Sequence, residues 1–203
     1  MKRMLCIMLG LAAVLASCDE TAEVGEYDNW QERNEAYTDS LAKSAVNGLT
    51  PEDAATGQIF RILAYNLDPE VEWESGDYVY CRKLTESSDT VCPMFTDSIR
   101  MNYRGRLIPS ASYPEGYVFD QSFKTAELDP SINVPKSFKL SGLVTGMATA
   151  LQYMHAGDIW RIWIPNGLAY GEDGTTGVPG WSTIIFDVNL TEIARTGSSL
   201  SPR

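Results

Sequence analysis

The period of the hydrophobic positions changes along the chain, and the changes divide it into elements. Trp30, Tyr37, Leu41 and Ala45 recur at near-helical spacing. Asp28 can cap the run with Gln31 three residues on, and Asn47-Gly48 ends it before Thr50-Pro51. The spacing predicts a helix over 28–46. From Gly57 the period becomes two: Ile59, Arg61, Leu63 and Tyr65 alternate with their neighbours, and Tyr78, Tyr80 and Arg82 begin a second extended stretch beyond a turn region at 69–76. Further strands are expected at 98–107, 138–140, 159–164 and 184–190, with one helix among them at 143–154. Many strands around one short helix imply an antiparallel α+β domain whose sheet buries a face on that helix. The apolar stripe of the N-terminal helix has two readings: packing on its own domain or spacing it from a membrane, and a homodimer contact or client-holding arm.

The N-terminus adds an address. Lys2 and Arg3 precede an apolar run from Met4 to Ala16, and Leu15-Ala16-Ser17-Cys18 follows as a small-residue cleavage site. The run is shorter than the roughly 17–25 residues a spanning helix needs, so it reads as a secretion signal. A cysteine directly after Leu-Ala-Ser resembles the bacterial lipobox, which implies cleavage before Cys18, lipidation of that thiol and anchoring to the outer membrane of a cell envelope, on its periplasmic or its outer face. An ordinary secretory signal with an incidental cysteine is the alternative. Asp19-Glu20 resembles an export signal of surface lipoproteins in the Bacteroidetes, with solvated charge as the other reading.

Charge and cysteines narrow the function classes. The formal net charge is −11, and losing the positive Lys2 and Arg3 with the signal would take it to −13. So acidic a surface repels phosphate backbones and argues against nucleic-acid binding. Cys81 and Cys92 bracket a stretch whose core, Glu86-Ser87-Ser88-Asp89, reads as a turn, so the flanking segments could pair as a hairpin and bring the two thiols into a disulfide. Sequence cannot supply the sulfur geometry, and free thiols remain the equal alternative. There is no C-x-x-C and no Cys/His cluster, so no metal or redox site is expected. Walker, G-x-S-x-G and H-E-x-x-H motifs are absent too. The one histidine, His155, reads as a helix-end residue rather than a general base.

One distributed pattern remains. It runs Asn102-Tyr103-Arg104-Gly105, Val118-Phe119-Asp120-Gln121-Ser122, Phe138-Lys139-Leu140, Gly146, Met154-x-x-Gly157, Ile162-Trp163-Ile164-Pro165, Leu168-Ala169-Tyr170-Gly171, Val178-Pro179 and Thr183 through Leu190. Each block is weak alone. In this order they resemble the FKBP family of peptidyl-prolyl cis/trans isomerases, over about half of the chain. The resemblance implies a half-barrel antiparallel sheet wrapped around one helix, with a proline pocket between them and an N-terminal helical appendage outside. It implies Asp120 and Tyr170 as the catalytic pair, and Tyr103, Phe119, Leu143, Val144, Met147, Val178 and Phe186 as substrate-binding residues. No cofactor is needed, and the partners are proline-containing polypeptide clients.

The expected division is a signal at 1–17, a tether and helix at 18–56, a strand-rich lead-in at 57–96, the isomerase domain at 97–195 and a tail at 196–203. The chain departs from the family pattern in three places. Met147 stands where many members have a tryptophan, and the connections at 107–118 and 123–137 are long, so the family's aromatic wall residue before the 138–140 strand has no sure counterpart. Met147 and the insertions favour a second reading, a binding module or chaperone with weak catalysis.

Overall fold

The computed structural model describes residues 25–202. The signal, Cys18 and the Asp19-Glu20 pair therefore lie outside the described residues. In chain order the elements are α1 (Trp30–Ser44), β1 (Ile59–Leu63), β2 (Tyr78–Thr85), β3 (Ser98–Leu107), β4 (Val118–Gln121), β5 (Lys136–Lys139), α2 (Thr145–Leu151), β6 (Ile159–Ile164) and β7 (Ile184–Ala194). Short 3-10 turns at Ser75–Asp77, Leu140–Gly142 and Asn166–Leu168 connect some of them.

The strands form an antiparallel sheet in the order β1-β2-β6-β7-β3-β4, with β5 also paired to β3. The lead-in strands β1 and β2 belong to this same sheet. The ten-residue β3 is shared along its outer edge: its first part, Ser98 to Met101, pairs with β5, and Arg104 to Arg106 pairs with β4. Tyr103 falls in the gap between the two partners. Ser122 fills that gap, donating its N–H to the Tyr103 carbonyl and accepting the Tyr103 N–H on Oγ, each at 2.9 Å. This arrangement positions the site.

The two faces of the sheet are closed differently. On the inner face Phe60, Ile62, Val79, Cys81, Ile99, Trp160, Ile162, Val188 and Leu190 pack against Met147, Ala148, Ala150 and Leu151 of α2. The helix approaches so closely that a Cβ on Gly146 would collide with the Ile164 side chain. Helix α2 is shorter than the predicted 143–154 span, because Leu143 and Val144 are extended residues leading into it. On the outer face Tyr80, Trp163 and Ile185 are covered by Leu41 and Ala45.

Helix α1 docks on its own domain, and buried polar pairs accompany its apolar contacts. Trp30, Leu41 and Ala45 of the predicted stripe are buried, Tyr37 is only half-buried, and the polar Asn34 and Thr38 are buried beside them. The Trp30 indole donates to Ser182 Oγ (2.9 Å), the Thr183 N–H donates to Asn34 Oδ1 (2.8 Å), and the Thr38 and Thr183 hydroxyls are 2.9 Å apart. Asp28 does not cap the helix as expected. Its carboxylate accepts the Gly25 N–H, and Asn29 enters the helix in the left-handed region, with no side-chain cap.

The expected hairpin around Glu86–Asp89 does not form either. Strand β2 spends its two edges on β1 and β6, so the chain beyond Thr85 has no edge of β2 to return along. Cys81 is buried in the inner core and Cys92 lies half-buried in the following loop, and both are free thiols. Burial pushes the Cys81 thiol well above its ordinary range. Among the described residues no helix is long and apolar enough to cross a membrane.

Candidate active site

Between the β3–β4–β5 end of the sheet and the start of α2 lies a cavity of about 210 Å³, lined by Met101, Tyr103, Asp120, Phe138, Gly142, Leu143, Val144, Met147, Tyr170 and Phe186. The strand period explains the lining. Met101, Tyr103 and Gly105 share one face of β3, and Phe186 on β7 is the cross-strand partner of Gly105. A Cβ on Gly105 would stand 2.6 Å from the Phe186 ring and 2.7 Å from that of Phe119, so only glycine lets both rings close over the strand. Met147 is the floor, 2% exposed, and Leu143 and Val144 form the lip where the chain turns into α2.

The polar groups sit at the mouth. The Tyr103 hydroxyl donates to Asp120 Oδ2 at 2.7 Å and receives a hydrogen bond from Lys136 Nζ at 3.0 Å. Burial pushes the Tyr103 phenol well above its ordinary range, and the hydrogen bond to Asp120 and its charge add to this. Tyr170 is raised as well, first by burial and then by the Asp120 charge. Its hydroxyl has no hydrogen-bond partner among the described residues, so a protonated donor is held ready in a mostly apolar cavity.

Seven of the nine residues expected from the sequence line this cavity: Asp120, Tyr170, Tyr103, Leu143, Val144, Met147 and Phe186. The other two do not. Phe119 supports the wall from behind, edge-on to Phe186 with centroids 5.6 Å apart. Val178 is buried in the core beside the cavity without lining it, in a loop closed by two hydrogen bonds between Thr175 and Val178, and it borders a separate cleft with Tyr27 and Tyr117. Sequence reasoning missed Met101, Gly142, Phe138 and Lys136. Phe138 was legible, being on the face of its strand opposite to Ser137 and Lys139. Its ring stands edge-on to Tyr103 at 5.7 Å and supplies the aromatic wall for which no counterpart was assigned.

Other residues considered for chemistry lie elsewhere. His155 Nδ1 is 3.4 Å from the buried carboxylate of Asp158, away from the cavity. Trp181 is not part of the lining. It closes the 170–181 loop with its N–H on the Gly171 carbonyl (2.9 Å) and has a left-handed φ of 64°. Among the described residues no group of three or more His, Cys, Asp or Glu side chains could hold a metal ion.

The described residues thus form an antiparallel sheet closed on one short helix, with an aromatic-walled cavity between the two. Residues 91–191 match the family model of FKBP-type peptidyl-prolyl cis-trans isomerases, and the chain belongs to that family. It is 36% identical over 114 residues to the peptidyl-prolyl cis-trans isomerase Mip of Coxiella burnetii, a match covering 56% of this chain and 44% of that protein. It is 30% identical over 114 residues to the outer membrane protein MIP of Legionella longbeachae, covering 56% and 43%. The crystal structure of FkpA from Escherichia coli superposes with a TM-score of 0.53 at 25% identity, over 82% of this chain and 62% of that one. This chain spans about half the length of the curated relatives it matches.

Proposed function

We propose that this protein catalyses cis/trans isomerisation of X–Pro bonds in exported or envelope polypeptides, with Asp120 and Tyr170 as the catalytic pair. The observation that carries the reading is the cavity itself, where Tyr103, Phe138 and Phe186 wall a Met147 floor and the Tyr170 hydroxyl is left to donate. An X–Pro amide resists rotation by roughly 18–20 kcal/mol because twisting removes its resonance. The planar form is the more charge-separated one, so an apolar pocket that strips water from the carbonyl penalises the ground state more than the twisted state. A hydrogen bond from Tyr170 to the substrate carbonyl gains weight once the bound proline covers the mouth and excludes water from it. Lowering the barrier by about 4 kcal/mol gives roughly a thousandfold acceleration, with no cofactor or covalent intermediate.

The anchored form is part of this proposal. Residues 1–17 act as the signal, Cys18 carries the lipid, and the domain works on clients at the outer membrane. The sequence of the signal and its cysteine supports this, and labelling with a radioactive fatty acid, present in the wild type and lost in Cys18→Ser, tests it. One observation favours the second reading, a client-holding module: Met147 gives the pocket a flexible thioether floor. Exchange NMR of a Leu-Pro peptide with residues 19–203 separates the two. Acceleration supports the isomerase, binding without acceleration supports the holding module, and a chain that neither binds nor accelerates overturns both readings.

A further inference from the structure

Lys136 is the charged residue that neither the motif nor the family pattern assigns to the pocket. It enters from the end of the 123–137 insertion, at the first position of β5, where it is the cross-strand partner of Met101. Asp120 is the partner of Gly105 on β4. Positions 101, 103 and 105 lie on one face of β3, so the register sets an ammonium and a carboxylate on either side of Tyr103. The distances agree. Lys136 Nζ donates to Tyr103 Oη at 3.0 Å and to the Gln121 carbonyl at 3.3 Å, lies 5.1 Å from the centre of the Tyr103 ring, and is 3.8 Å from Asp120 Oδ1.

Two physical consequences follow. An ammonium has three N–H donors, and two of them are used here. At 3.8 Å the third makes an ion pair with Asp120 rather than a hydrogen bond, so it can turn to an arriving acceptor. The side chains of Lys136 and Asp120 are 47% and 52% exposed, so both charges act directly on whatever enters. In a protein of formal net charge −11, a mouth bearing Asp120 alone would repel an acidic client.

We propose that Lys136 is the specificity-determining residue of this pocket, admitting polypeptides with an acidic side chain next to the proline. The proposal rests on the proline-pocket reading and goes beyond it in naming the charge class of the client. Removing the ammonium leaves an uncompensated carboxylate at the mouth, which disfavours Glu-Pro and favours Lys-Pro.

The test uses residues 19–203 as wild type, Lys136→Met and Lys136→Arg, with peptides differing only in Glu-Pro, Leu-Pro or Lys-Pro. Both kcat/KM by exchange NMR and Kd by titration are measured, with Leu-Pro as the common reference. The Glu-Pro to Lys-Pro ratio is expected to fall about fivefold in Lys136→Met, the size of a lost unit charge some 8 Å from the client in water. It should stay near the wild-type value in Lys136→Arg, and the difference should shrink in about 0.5 M salt, where screening acts within ~4 Å. If Lys136→Met lowers all three peptides alike, the lysine only holds Tyr103 and Asp120 in place and the proposal is overturned. Should the wild type bind without accelerating, the isomerase reading fails while the Kd ratio still decides the proposal. A wild type that binds none of the peptides overturns both.

Discussion

The Tyr103 hydroxyl donates to Asp120 Oδ2 at 2.7 Å although the two residues are seventeen positions apart in the chain. The bond holds Asp120, which is half exposed, at a fixed place on the pocket mouth and ties β3 to β4 above the Phe119–Phe186 wall. Asp120→Ala removes the acceptor of Tyr103 and the counter-ion of Lys136 together. We expect kcat/KM on a Leu-Pro peptide to fall about tenfold, a loss of about 1.4 kcal/mol in the barrier. Tyr170→Phe, which removes the unpartnered donor and keeps the ring, should lower kcat more than it raises KM. A raised KM with kcat unchanged would mean that Tyr170 only binds.

Gly105 is where the pocket wall and the fold make the same demand. Gly105→Ala sets a methyl group against the Phe186 and Phe119 rings, so one ring must move. Overpacking of this kind costs about 1–3 kcal/mol. Urea unfolding should show the loss, and peptide affinity should drop with it because Phe186 lines the cavity.

The α1 interface sets buried polar pairs among its apolar contacts. Asn34 is 2% exposed, accepts the Thr183 N–H and donates to the Trp30 carbonyl at 2.7 Å. Asn34→Ala leaves a buried backbone N–H unpaired, which costs about 1–3 kcal/mol. Because the helix packs on its own chain here, the fall in melting temperature should not depend on protein concentration. A concentration-dependent fall would indicate that α1 docks on a second copy.

Asp97 is a buried carboxylate at the start of β3. Burial by itself pushes its pKa up, but the Met94 N–H, the Arg195 guanidinium and the Thr196 N–H all donate to it, and the net direction is down. A carboxylate lowered in the folded state contributes stability that is complete above its unfolded value, near pH 4, and is lost as pH falls through the folded value. Calorimetry of the wild type and Asp97→Asn from pH 6 to below pH 3 should show the wild type more stable at the upper end and the gap closing in acid. A gap that widens in acid would contradict the assignment.

The free thiols predict a simple titration. In residues 19–203, a thiol reagent should modify the half-buried Cys92 in the native protein, and Cys81 only after unfolding. Dithiothreitol should leave the melting temperature unchanged. A native protein with no reactive thiol and a melting temperature lowered by reductant would restore the disulfide.

Local period and residue type carried much of this fold. The predicted strands at 98–107 and 159–164 coincide with β3 and β6, because alternation along a strand is set by which side chains leave water and needs no knowledge of the partner. The aromatic and aliphatic residues of the pocket were legible for a related reason, since their motif order survives the insertions around them. What the period does not contain is register. A slip of one residue exchanges the faces of a strand, and the pairing that prevents it involves segments far apart in sequence. The pairing of β5 with one part of β3 and β4 with another puts Lys136 and Asp120 on either side of Tyr103, and nothing local to Lys136 announces this. Asn34 and Thr38 could not be read as buried, because polar side chains leave water only when partners such as Thr183 are brought to them. Cys81 stays a free thiol because tertiary pairing took both edges of its strand.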